Sequence, residues 1–232
     1  MHVHGEHDRH ISRRIREQGI WEPYETSLLL SLLRPDDVFV DVGANIGYFS
    51  LIAATLVGAA GAVFAFEPDP ANYSLLRDNA RLNGCDELLS AVQAGLAAEA
   101  GEGRLYLSED NLGDHQIFAA DGARSSLAVN LLNGSQYLQQ RLPGGRTPRV
   151  DVLKVDVQGA EYAVMQGLMP LLRSLLSPPC SACSLQWRFL SSSMPPTWVA
   201  AFSMPPAPTR GSSCKRAGFG CICGAESSWT RS

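Results

Sequence analysis

Three short stretches of this 232-residue chain combine residue types and spacings that could do chemistry. The first is Asp41-Val42-Gly43-Ala44-Asn45-Ile46-Gly47, which follows the apolar run Val38-Phe39-Val40. It reads as a sharp turn from a strand into a helix. Gly43 frees the backbone to bend, and Gly47 removes a Cβ where helix and ligand approach closely. The spacing is Gly-x-x-x-Gly, not the Gly-x-Gly-x-x-Gly that cradles a pyrophosphate. A carboxylate at Asp41 repels a diphosphate and suits a cationic ligand. The second stretch is Phe64-Ala65-Phe66-Glu67-Pro68, whose acid follows Asp41 by 26 residues. An acid ending the second strand of such a fold can accept both hydroxyls of a ribose. The third runs from Val150 to Glu161. It ends a buried strand on Asp156, turns through Gln158 and Gly159, and places Glu161 in the first turn of a helix, where the dipole favours negative charge. Capping explains Glu161 as well as any functional role does. Asp156 lies where such folds bind ligands.

For the three to meet, their strands must end at one edge of a sheet. Val38–Val42, Ala62–Phe66 and Val150–Val155 read as short buried strands, apolar or β-branched. Between them, Asn45–Val57 and Pro70–Leu82 read as helices, the second stopped by Asn83-Gly84. Ser90–Ala94 gives a third strand, Arg104–Leu107 another beyond a turn, and Ala160–Leu176 a closing helix. Strand-helix alternation of this kind implies a parallel sheet with helices on both faces. Residues 108–149 are polar and Gly-rich without strong periodicity, and read as a long functional loop. Ahead of the sheet, residues 1–35 read as a helical cap: a thin surface helix carrying Ile11 and Ile15, then Tyr24–Leu33 entered through Pro23. His2, His4, His7 and His10, with Glu6 and Asp8, fit a frayed, solvated terminus better than a metal site.

The bulk properties narrow the class. With 45% hydrophobic residues the chain can bury one sizeable core. A net charge of −4 offers no electrostatic attraction for nucleic acid or anionic lipid. Val42–Phe66 is uncharged and long enough to span a bilayer, yet it holds Gly43, Gly47, Gly58 and Gly61 and is bounded by Asp41 and Glu67. A buried strand-loop-helix-strand unit reads just as apolar, so no membrane span is expected. Met1–Arg14 lacks the apolar core of a secretory signal, which points to a cytoplasmic, reducing setting.

Residues 177–232 differ in kind. They hold one acid and five bases, five of the six cysteines, 12 serines and seven prolines, whereas residues 1–176 carry net −8. Pro178-Pro179, Pro195-Pro196 and Pro205-Pro206 break long elements, and Trp198–Phe202 is the one acceptable strand. Cys180, Cys183, Cys214, Cys221 and Cys223 match no common zinc spacing. The tail is expected to be irregular and foreign to the fold, as a shifted reading frame would make it. The sheet would then lack one edge.

Trp21-Glu22-Pro23, Phe39–Tyr48, Phe66-Glu67-Pro68 and Leu153–Glu161, in that order and at these separations, resemble the FkbM-type methyltransferases over roughly residues 8–175. The resemblance implies a Rossmann-like class I fold and S-adenosylmethionine as methyl donor. It also implies a hydroxyl acceptor on a sugar, a polyketide or another small molecule. On this pattern Asp41, Gly43, Ala44, Asn45 and Gly47 line the donor, and Glu67 with Pro68 holds its ribose. Glu22 belongs to an N-terminal cap over the donor, and Asp156 lies near the transferred methyl. Gln158 stands where the family more commonly has Glu. An alcohol acceptor must lose its proton, so a base within hydrogen-bond reach helps. Asp156 and His115 are the candidates. Asn111, Gly113 and Asp114, beside His115, and Gln158 are candidates for touching the acceptor, and no metal is required. Two alternatives remain: a donor-binding fragment made inactive by its tail, and a nicotinamide-dependent oxidoreductase sharing the fold but not the turn spacing.

Overall fold

A computed structural model describes residues 1–5, 8, 10–108, 117, 125–142 and 149–175, and the backbone of residues 176, 187–190 and 201–202. Two helices come first, α1 (Ile11–Gln18) and α2 (Pro23–Leu32). A βα alternation follows: β1 (Val38–Val42), α3 (Tyr48–Val57), β2 (Ala62–Phe66), α4 (Pro70–Leu82) and β3 (Leu89–Val92). Then come β4 (Gly95–Ala97), β5 (Gly101–Tyr106), β6 (Ser126–Asn133) and α5 (Gly134–Gln139). The described chain closes with β7 (Val152–Val155), α6 (Glu161–Leu176), β8 (Trp187–Leu190) and β9 (Ala201–Phe202).

The main sheet has the order β3-β2-β1-β7-β8-β9. All its pairings are parallel except that of β9 with β8. A smaller sheet, β4-β6-β5, stands beside it. Alternation along each strand divides the core in two. Val38, Val40, Val42, Phe64, Phe66, Leu153 and Val155 cluster with Leu138 of α5 and Val164, Leu168 and Leu172 of α6. Phe39, Val63, Ala65 and Val152 cluster on the other face with Leu29 of α2, Phe49 and Ala53 of α3 and Leu76 of α4. Each large apolar side chain buried this way contributes about 1.5–3 kcal/mol before entropy is charged against it. The same alternation sends Asp41 and Lys154, direct partners across β1 and β7, to the α3 face near the strands' carboxyl ends. That register builds the floor of the site.

Several sequence expectations are corrected. Helix α3 begins at Tyr48 and not Asn45, because Asn45 (φ 50°) and Gly47 (φ 90°) are left-handed and keep residues 43–47 as a loop. Residues 108–149 are not one long loop, since they include β6 and α5. Strand β6 escaped notice because Val129 alone in it is buried, which leaves no clean alternation to read. The N-terminus is docked, not frayed: the His2 backbone exchanges hydrogen bonds with the Asn79 side chain, and His4 Nε2 lies 2.6 Å from Asn72 Oδ1. The Asp8 carboxylate is buried and accepts from Ser12 N at 2.8 Å, capping α1. The tail supplies two strands to the sheet, β8 beside β7 and β9 beyond it. Four proline-free residues suffice for a strand, so prolines flanking Trp187–Leu190 did not forbid one.

Candidate functional site

A cleft of about 250 Å³ opens at the carboxyl ends of β1, β2 and β7. Of the residues singled out from sequence, Glu22, Gly43, Ala44, Asn45, Glu67, Pro68, Asp156 and Gln158 line it. The structure thus brings together all three chemical stretches and the cap residue. Asn111, Gly113, Asp114 and His115 lie outside the described residues.

Gly43 makes the meeting possible. Its φ is 82°, its N–H and that of Ala44 both donate to the Phe66 carbonyl at 3.0 Å, and a Cβ there would sit 1.9 Å from the Asp156 carbonyl oxygen. No other residue type lets the β1 turn approach the β7 turn so closely. Gly47 has a different task from the one expected of it. It is absent from the cleft lining, and a Cβ on it would strike Leu76 Cδ1 at 2.5 Å, so its bareness serves the contact between α3 and α4.

Asp41 is likewise corrected. It has no exposed surface and lies beneath the cleft, accepting from Ser50 Oγ at 2.6 Å. Its Oδ1 is 3.4 Å from Lys154 Nζ, which answers its charge from inside the protein. Lys154, which sequence reading passed over, lines the cleft, lies 3.6 Å from Asp156 Oδ2 and stands 5.1 Å from the centre of the Phe49 ring. Burial pulls its ammonium down, but the carboxylates of Asp41, Asp156 and Glu22 outweigh burial and leave its pKa above the ordinary value. A lysine inside an otherwise apolar buried strand was the missed signal, since it must face a carboxylate.

Glu67 is nearly buried. Asn45 N donates to its Oε2 at 2.8 Å and Asp69 N to its Oε1 at 2.9 Å. The Asn72 side chain also donates to this carboxylate. Burial raises its pKa to about 7, against the lowering effect of those two amides. Asp69 in turn caps α4 through Ala71 N and Asn72 N, so the acid sits on a braced turn. Across the cleft, Gln158 Nε2 donates to Asp156 Oδ1 at 3.0 Å, and Glu161 ties the turn by accepting from Gly159 N.

Glu22, immediately before α2, lines the cleft. It is left-handed (φ 41°), and its Oε2 is buried with no hydrogen-bond partner among the described residues. Burial, then the nearby charge of Asp156, raises its pKa to about 7. Non-glycine residues with left-handed backbone are Glu22, Asp36, Asn45 and Gln158 among the described residues, and all but Asp36 line the cleft. Strain held in this way concentrates at functional sites. His10 and Trp21 also reach the cleft. A frayed terminus leaves His10 no role, whereas Trp21 belongs to the motif that carries the resemblance. Among the described residues no cluster of three or more His, Cys, Asp or Glu side chains is placed to hold a metal ion, and no helix is long and apolar enough to cross a membrane.

A parallel sheet whose far strand runs antiparallel, with helices on both faces and a cleft at its carboxyl edge, is the Rossmann-like fold of class I methyltransferases. The model of the methyltransferase FkbM domain matches residues 41–178, and the chain belongs to that family. It is 30% identical over 149 residues to the hexuronic acid methyltransferase AglP of Haloferax volcanii, covering 64% of this chain and 56% of that one. It is 54% identical over 81 residues to the 31-O-demethyl-FK506 methyltransferase FkbM of Streptomyces tacrolimicus, covering 34% and 29%. The chain therefore spans less than two thirds of the length of these relatives. Among solved structures it aligns with a methyltransferase FkbM from Methylobacillus flagellatus KT at a TM-score of 0.46 and 17% identity, over 74% of this chain and 38% of that one.

Proposed function

We propose that this protein transfers a methyl group from S-adenosylmethionine to a hydroxyl of a small molecule or glycan. The observation that carries the reading is Glu67: a buried carboxylate at the end of β2, braced by two backbone amides and lining the cleft beside the Gly43 turn. An acid ending the second strand of such a fold can accept ribose hydroxyls. The charge balance of the cleft supports a cationic donor, since Glu22, Glu67 and Asp156 face it against Lys154. Two relatives, a hexuronic acid methyltransferase and a 31-O-demethyl-FK506 methyltransferase, support an oxygen-bearing acceptor.

In this reading residues 1–35 are the cap and 36–176 the donor-binding domain. The donor, when bound, supplies a methyl activated by its sulfonium. The chain aligns and shields it: Gly43, Ala44 and Asn45 form one wall, Glu67 and Pro68 another, and Glu22 and Trp21 exclude water from the cap side. Asp156, held by Lys154 and Gln158, orients the acceptor at the open end.

Calorimetric titration tests the donor. S-adenosylhomocysteine is expected to bind and NAD to give no heat; the reverse result would replace this reading with the oxidoreductase one. Asp156→Ala is expected to abolish turnover while S-adenosylhomocysteine affinity stays within about tenfold, roughly 1.4 kcal/mol. Wild-type turnover in that variant removes Asp156 from the reaction.

A further inference from the structure

Two carboxylates that line the cleft, Asp156 and Glu22, are held very differently. Both oxygens of Asp156 are engaged, Oδ1 by the Gln158 amide at 3.0 Å and Oδ2 by the Lys154 ammonium at 3.6 Å. Glu22 is the opposite case. Its Oε2 is buried in the cleft wall with no donor among the described residues, on a backbone held at φ 41°. A buried acceptor atom left unmatched costs free energy unless something arrives to donate to it.

We infer that Glu22, on the N-terminal cap, is the general base of the reaction, its Oε2 taking the proton of the acceptor hydroxyl. This rests on the methyl-transfer reading above. The step balances: the acceptor oxygen bonds to the methyl carbon, the carbon–sulfur bond breaks with its electron pair passing to sulfur, and the hydroxyl proton goes to Glu22, which releases it to solvent when product leaves. Asp156, its oxygens engaged by Gln158 and Lys154, positions the hydroxyl.

The groups acting on Glu22 agree with the assignment. Asp156 at the end of β7 and Glu25 in α2 raise its proton affinity, and Lys154 of β7 and Arg14 of α1 lower it. His10, at the start of α1, lines the same cleft. The result, with burial the largest cause, is a carboxyl whose pKa of about 7 matches the pH at which it would work.

The test is Glu22→Gln in the full chain, beside Glu22→Asp. S-adenosylhomocysteine affinity is expected within about threefold of wild type, and kcat with a hydroxyl acceptor is expected to fall about 10²–10³-fold, the usual worth of a positioned base. The acid limb of the wild-type kcat profile near pH 7 should vanish in the Gln variant and persist in the Asp variant. Infrared difference titration of the protein without ligand supplies a readout independent of turnover: wild type should show carboxyl signal lost near pH 7 that the Gln variant lacks in part, Glu67 supplying the remainder. Loss of S-adenosylhomocysteine binding in Glu22→Gln would instead place Glu22 on the donor, and an unchanged kcat profile would refute the assignment. Wild type failing to bind S-adenosylhomocysteine at all would sink the methyl-transfer reading itself, which is a separate outcome.

Discussion

Lys154 is the residue on which the charges of this cleft turn. It touches Asp41 below and Asp156 beside it, and it has almost no exposed surface. Removing it leaves Asp41 as a buried carboxylate with Ser50 as its hydrogen-bond donor. Breaking a buried pair from one side costs about 3–5 kcal/mol, because the stranded charge is not rehydrated. Lys154→Met is therefore expected to lower stability by that amount in urea titration. Adding Asp41→Asn should recover most of it, since both ends of the interaction are then gone. A single variant as stable as wild type would show that the ion pair is not formed. Glu67 and Glu22 act in the other direction. Their proton affinities are raised on folding, so their contribution to stability is present below about pH 4.5 and is lost as pH rises toward about 7. A bound cation beside Glu67 would restore that acid's share, which couples donor binding to its ionisation.

The turn between β1 and α3 shows how an element fixes a site. Its glycines look alike in sequence, yet Gly43 admits the Asp156 carbonyl and Gly47 admits Leu76. Gly43→Ala meets two penalties, a left-handed φ of 82° and a Cβ 1.9 Å from backbone oxygen. The conformation alone costs about 1–3 kcal/mol. The collision must also part the β1 and β7 turns that hold Glu67's partner Asn45 and Asp156. The expected outcome is a lower Tm together with loss of S-adenosylhomocysteine binding. Gly47→Ala should lower Tm with a smaller effect on binding, because flexible Leu76 can yield. Equal binding losses in the two variants would contradict the division of roles.

At the scale of the entire chain, the tail supplies the sheet edge. Strand β8 pairs with β7 in register Val152 to Arg188 and Lys154 to Leu190, and β7 carries Lys154 and leads to Asp156. Truncation after residue 176 would bare the β7 backbone, and an exposed hydrogen-bonding edge invites association with other chains. The truncated protein is expected to aggregate in light scattering and to lose Tm. A monodisperse product with unchanged Tm would show that residues 187–190 do not complete the sheet.

Much of this was legible in the sequence because it depends on neighbours along the chain. The β-branched runs of β1, β2 and β7, the Pro70–Leu82 helix and the glycine turn all follow from local sterics and short-range periodicity, and the acids at the strand ends follow from them. What depends on residues far apart was not legible. The pairing of Asp41 with Lys154 is a register between strands more than a hundred residues apart, and it moved Asp41 from the cleft to the layer beneath it. The docking of His2 and His4 onto α4, the half-exposed β6, and the carboxylate of Glu22 left without a partner are likewise results of packing. Chain order states which groups exist and which local shapes they favour. Which of them are desolvated together, and so which charge is answered and which is left waiting, is settled when distant segments close over one another and exclude water.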